Sequence, residues 1–292
     1  MIDKQKIKSL ISLVDDQDDD VFDLVQGQII NLGKDVLPLL KKAYDETESD
    51  LMSSRLNKLI SQLNLIKARE EILYWKNNNS RNLYEGLSII ARYQYPNLDI
   101  EKITKTIKII RQELWLEIND NMTAMEKVRI FNHLFFDIHM FHGDSKDFFA
   151  PENFFINDVI LRKKGSPLIL SAVYSIIAQS VNIPIYGVNM PNHFIVAYTD
   201  RLYSQPLSDI EINNILFFIN PFNHGEIYSL KEMRQFLSSM KVSPHNSYLL
   251  PCSNITIIKR NIKNLINAYK NLGKKEKVEE FETLLNELIK TN

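Results

Sequence analysis

Asn189 to Tyr198 reads NMPNHFIVAY, with His193 at the head of a run in which Phe194, Val196 and Tyr198 alternate with Ile195 and Ala197. Alternation of this kind marks a β-strand, so His193 opens one. Asn220 closes a later apolar run, FFINPF. An imidazole can take a proton from a nucleophile, and an Asn or Asp can hold the imidazole in the orientation a base requires. The missing member is a thiol or hydroxyl, best placed at a helix N-terminus where the dipole lowers its pKa.

A helix start lies upstream in KKGSPLILS. Ser166 has the type of an N-cap and Pro167 that of a first helical residue. Leu170, Val173, Tyr174 and Ile177 continue the helical period, and NIP ends it at Pro184. Pro167 carries no nucleophile. An N-cap Ser166 would spend its oxygen on a backbone N–H. Ser171 lies one turn deeper on the Pro167 face, away from the helix terminus. Ser166 and Ser171 are therefore weak substitutes for a catalytic thiol. Cys252, the single cysteine, follows YLLP far along the chain and reads as a buried, inert residue.

The other histidines read blandly. His139 and His142 are three apart on or after one helix, with His133 before them and Asp144 behind, a spacing open to metal. Their aromatic-rich setting, FFDIHMFHGDSKDFF, favours core and docking surface instead, and neither metal nor cofactor is expected. His224, in NPFNHGE, reads as a solvated turn residue near Asn220. The acidic run Asp15–Asp20 lacks the glycine and terminal glutamate of a calcium loop and reads as a helix cap.

Bulk composition narrows the class. Over 292 residues, 45% are hydrophobic and 24% charged, the usage of an ordinary globular protein. The formal net charge of −1 gives no global field toward nucleic acid or acidic lipid. One cysteine cannot form an intramolecular disulfide, which fits a reducing compartment. The first residues lack the apolar core and cleavage site of a signal peptide, and no run approaches the ~20 apolar residues of a membrane span. A cytoplasmic, bacterial-type protein without nucleic-acid or membrane partners is the expectation.

Helices must carry most of the chain. Residues 1–75 show helical periods: Ile7, Leu10, Ile11 and Val14; Val21, Leu24, Val25 and Ile29; Val36, Leu37, Leu39, Leu40 and Tyr44; then Leu51, Leu56, Leu59, Ile60, Leu63 and Ile66. Short helices in succession suggest a HEAT-like unit. Residues 76–250 hold further helices, then the strands IYGV, HFIVAY and ILFFIN, with PFNHGEIYS as a turn. Helices followed by antiparallel strands make an α+β core. Residues 251–292 read as a helix pair around KNLGKKE that resembles a tetratricopeptide-type hairpin, with its lysines expected on a solvated face.

The stretch PENFFINDVILRKKGSPLILSAVYSIIAQSVNIPIYGVNMPNHFIV, then INPFNHGEIYSL, then YLLP before the terminal helix pair, resembles the SirB-type transglutaminase-like proteins, bacterial relatives of the transglutaminase core. The resemblance covers most of the chain; the central stretch is specific and the flanking helices are not. It implies a transglutaminase-like (papain-like) core with an antiparallel sheet, in which a helix start supplies Cys and two successive strands supply His and Asp. Active members read Gly-x-Cys at the helix start and carry a Gly-Ile-Pro-like turn at its far end. Gly165 and Pro184 anchor that alignment here and put Pro167 at the nucleophile position. The SirB-type relatives also usually lack this cysteine. His193 and Asn220 then stand at retained positions of a degenerate triad, and Asn in place of Asp is compatible with Cys-His-Asn chemistry. The usual Pro-Gly-His is Pro191-Asn192-His193 in this chain.

The expectation is a non-catalytic protein that binds a protein or peptide in the vestigial cleft. A hydrolase or acyltransferase with His193 as base and a serine or water nucleophile is the alternative. A helical-repeat scaffold is the third.

Overall fold

The apolar periods at the start of the chain fold as helices. The computed structural model describes residues 4–240 and 245–290 and divides into two units, Met1–Glu71 and Ile72–Asn292. The first holds α1 (Lys4–Ser12), α2 (Asp19–Asn31), α3 (Leu37–Glu46) and most of α4 (Asp50–Tyr74). Ile7, Val14, Val25, Ile29, Leu40, Leu56, Leu59 and Leu63 form its core. The acidic run serves α2 as a cap: the Asp18 side chain accepts from Asp20 N–H. Arg55 pins this corner by donating to the Val14 carbonyl and to Asp19. In α2 the buried face is Phe22, Val25 and Ile29, and Leu24 is turned out, 70% exposed. Leu24 and Phe22 compete for one stripe, and the aromatic ring, which buries more apolar area, takes it.

The second unit begins with helices: α5 (Leu83–Gln94), α6 (Ile100–Glu117) and α7 (Ala124–Asn132), the last running on as a π-helical turn to Ile138. Two-residue strands β1 (His142–Gly143) and β2 (Lys164–Gly165) pair in parallel, with α8 (Ile156–Arg162) between them. After α9 (Pro167–Ser180) come β3 (Ile185–Met190), β4 (His193–Thr199), β5 (Ile215–Asn220) and β6 (Glu226–Tyr228). These four make an antiparallel sheet in chain order. The unit is thus α+β. Part of the stretch expected as a turn, Glu226–Tyr228, pairs with β5 as the edge strand. The segment after it forms α10 (Leu230–Ser239), started by a Ser229–Glu232 capping box. A helix pair, α11 (Asn254–Asn271) and α12 (Lys275–Ile289), follows, with Gly273 at φ 68° in the turn.

The two faces of the sheet are covered differently. α10 lies on one: Met233 and Leu237 pack with Val188, Ile195, Ala197 and Phe218. α9 packs against β3 and β4, and every side chain from Leu168 to Ser175 is buried. A helix apolar on all sides belongs inside a core. Among the described residues no helix is long and apolar enough to cross a membrane.

Candidate functional site

The start of α9 is fixed from below by the β1–β2 bridge. Gly143 and Gly165 are register partners. A Cβ on Gly165 would meet Val159 at 2.4 Å, and one on Gly143 the Phe222 ring at 2.6 Å. Asp144, 4% exposed, accepts from Arg162 at 3.1 Å and Lys164 at 3.0 Å, while its own N–H donates to the Gly165 carbonyl. Burial alone would raise this carboxyl; Lys164 and hydrogen bonds from Asp147 N–H and Asn153 hold it below the ordinary range. Ser166 N–H then donates to the Asn153 carbonyl at 3.0 Å.

Both serines are engaged. Ser166 Oγ accepts from Ile169 N–H at 3.3 Å as the helix cap, and Pro167 is the first helical residue. Ser171, fully buried, donates to the Phe194 carbonyl at 3.5 Å. Neither oxygen bonds the His193 ring.

Strand alternation decides where His193 goes. Side chains alternate between faces, so Phe194 turns toward the start of α9 and His193 toward α10. There the His193 ring meets Phe236 edge-on, ring centroids 4.8 Å apart. The residue is exposed, but partial desolvation, and then the nearby charge of Arg260, lower its pKa below the usual value. Asn220 caps the turn after β5: its side-chain oxygen accepts from Phe222 N–H at 3.2 Å. In register it lies opposite Glu226 on β6. The structure thus gives His193, Asn220 and the α9 serines separate partners. Cys252 lies at the start of the α11 segment, its N–H on the Gly187 carbonyl, and burial pushes its thiol up to about 12.

A cavity of about 200 Å³ opens at the Pro167 position. Its walls include Ser166, Pro167, Phe194, Phe148, Phe149 and Arg260. Phe149 is 60% exposed and packs edge to face with Phe148 at 5.2 Å. Arg260, on α11, donates to the Met190 carbonyl at 2.7 Å and to the Asn189 side chain. The aromatic run foreshadowed the two phenylalanines. Nothing in the spacing of the terminal helices signalled Arg260, which reaches the cavity only because α11 packs on α9 and β3.

The remaining histidines have ordinary partners. His133 bonds Asp137 at 2.9 Å, His139 bonds Glu113 at 2.5 Å, and His142 bonds the Met140 carbonyl at 3.0 Å. His224 sits in a left-handed turn, φ 46°, beside the Phe136 ring. Among the described residues no group of three or more potential ligands is arranged to hold a metal.

Comparison with known proteins bears on this arrangement. A UPF0162 protein of Xylella fastidiosa is 24% identical over 64% of the chain and 64% of its own length. A UPF0162 protein of Pasteurella multocida is 29% identical over 37% of the chain and 36% of its length. Human F-box only protein 21 is 22% identical over 54% of the chain and 23% of its length. The chain spans less than two thirds of the length of the curated relatives it matches first. No solved structure matches. Residues 101–263, more than half of the chain and the part that carries α9 and the sheet, match the family model of the transglutaminase-like superfamily, and the chain belongs to that superfamily.

Proposed function

We propose that this chain is a non-catalytic, SirB-type member of the superfamily that binds a protein or peptide in the cleft where its enzymatic relatives hold their nucleophile. One observation carries the reading. A cavity lies at the start of α9, yet Pro167 is in its lining and both nearby serine oxygens are spent on backbone groups. A pocket with an exposed phenylalanine rim and no activated hydroxyl suits recognition better than turnover. The retained His193 and Asn220 are relics of a triad on this reading. Segments 1–75 and 251–292, read as HEAT-like and tetratricopeptide-like helices, flank the 76–250 core as further contact surface. The similarity to an F-box only protein accords with a protein-binding role.

The test is a peptide selection on the full chain, run beside fluorogenic peptide and ester substrates. Enriched peptides should bind, and Phe149→Ala should weaken them about tenfold. Turnover of the substrates, or enrichment unchanged by Phe149→Ala, would overturn the reading.

A further inference from the structure

Among the described residues that line the α9 cavity, Arg260 carries the only charged side chain. Its Nη1 is fixed by Asn189 and the Met190 carbonyl, so the β3–β4 hairpin sets the orientation of the guanidinium. The guanidinium also lies over the Phe194 ring, 5.6 Å from its centroid. Nε and Nη2 make no hydrogen bond to a described residue, and no described carboxylate pairs with Arg260. The side chain is half-buried. Withdrawing a cation from water without a counter-ion is costly, so such a group is poised to take an anion. Its free edge is suited to two parallel N–H···O bonds with a carboxylate. Asn192 and Asn264 add carboxamide donors to the same lining. The volume, about 200 Å³, suits a group the size of one residue, and Phe148 and Phe149 offer an apolar wall beside it.

We propose that this cavity is a carboxylate subsite, in which Arg260 takes a carboxylate of a bound peptide while the residue that bears it or adjoins it packs on Phe148 and Phe149. The carboxylate is the peptide's C-terminus or an acidic side chain. The partner class rests on the function proposed above; the anion preference rests on Arg260 and stands apart from it.

The experiment is calorimetric titration of the full chain with acetyl-Ala-Ala-Phe as free acid and as amide, with acetyl-Ala-Asp-Phe amide, and with acetate. The free acid should bind about tenfold or more tightly than its amide. An Asp-containing amide that matches the free acid also supports the subsite and assigns it to side chains. Arg260→Gln should erase the preference. Since Arg260 also braces the hairpin, Asn264→Asp is the second variant. Asn264 lies one turn from Arg260 on α11, and a carboxylate there should occupy the guanidinium and erase the preference with the fold intact. Acid and amide that bind equally would overturn the carboxylate subsite and leave peptide binding standing. Acetate that binds as tightly as the peptides would support the anion site and overturn the peptide partner. No binding by any probe overturns both.

Discussion

The His193 ring stands edge-on to Phe236, centroids 4.8 Å apart, on the face of β4 opposite the start of α9. His193 is exposed at the start of its strand, and the partial desolvation it does undergo, with the charge of Arg260, disfavours the imidazolium. His193 should therefore titrate below the ordinary histidine value of 6.5. The unfolded chain then binds the proton more readily, so this group's contribution to stability is full above pH 6.5 and falls as the pH drops below it. An NMR titration of the imidazole signals measures the midpoint. Arg260→Gln should move it upward. A midpoint at or above 6.5 in the parent would contradict the geometry.

A thiol in the lining of the cavity should be reactive where the native one is silent. Burial pushes the Cys252 thiol up to about 12, so iodoacetamide should leave the folded protein almost unlabelled at pH 7.5. Pro167→Cys puts a thiol on the first residue of α9, where the helix dipole lowers its pKa, and should label at least about tenfold faster than Cys252. Peptide hydrolysis should stay absent, because His193 points to Phe236. Amidase activity in this variant would mean that the imidazole reaches across β4.

The sequence carried the helices, the central strands and the start of α9 because each has a local signal. Ser166 and Pro167 announce a helix, and the alternation from Phe194 to Tyr198 announces a strand. The same alternation already separates His193 from Phe194 by one face, yet which face meets α9 is a tertiary matter. It is settled by α10, whose Met233 and Leu237 claim the Ile195 side. The signal for α10 is Ser229 and Glu232, three apart, followed by only ten residues of amphipathic run, too short to stand out from a turn. Arg260 was illegible for a different reason. It is an ordinary surface-type residue on an amphipathic helix, and only long-range packing brings it to Met190 and the cavity.

Gly165 should tolerate no side chain. A Cβ there would meet both Val159 methyl groups, the nearer at 2.4 Å, and Val159 is itself fully buried. Gly165→Ala should cost about 1–3 kcal/mol through overpacking. Urea unfolding measures it, and Val159→Ala in the same chain should recover part of the loss. A neutral Gly165→Ala would show that β2 can shift without cost.

Asp144 supplies a pH-dependent tie at the same place. Its carboxylate takes Arg162 and Lys164, and its backbone binds Gly165 just ahead of Ser166. Because Lys164 and the hydrogen bonds hold its folded pKa below the ordinary carboxylate value of 3.8, the folded state resists protonation more than the unfolded chain does. Its stabilisation is therefore fully present above pH 3.8 and is lost as the pH falls through the folded value. Asp144→Asn removes the charge at every pH, leaves Lys164 without its carboxylate and leaves Arg162 with the Asn153 side-chain oxygen alone, so it should cost about 2 kcal/mol near neutrality. Urea unfolding of the two proteins in parallel from pH 7 downward isolates this carboxyl from all others. The stability gap between parent and variant should hold down to about pH 4 and close below it. A gap that persists unchanged at pH 3 would mean that Asp144 acts through shape rather than charge, and that the start of α9 is held by the β1–β2 bridge and the Ser166–Asn153 hydrogen bond without help from its carboxylate.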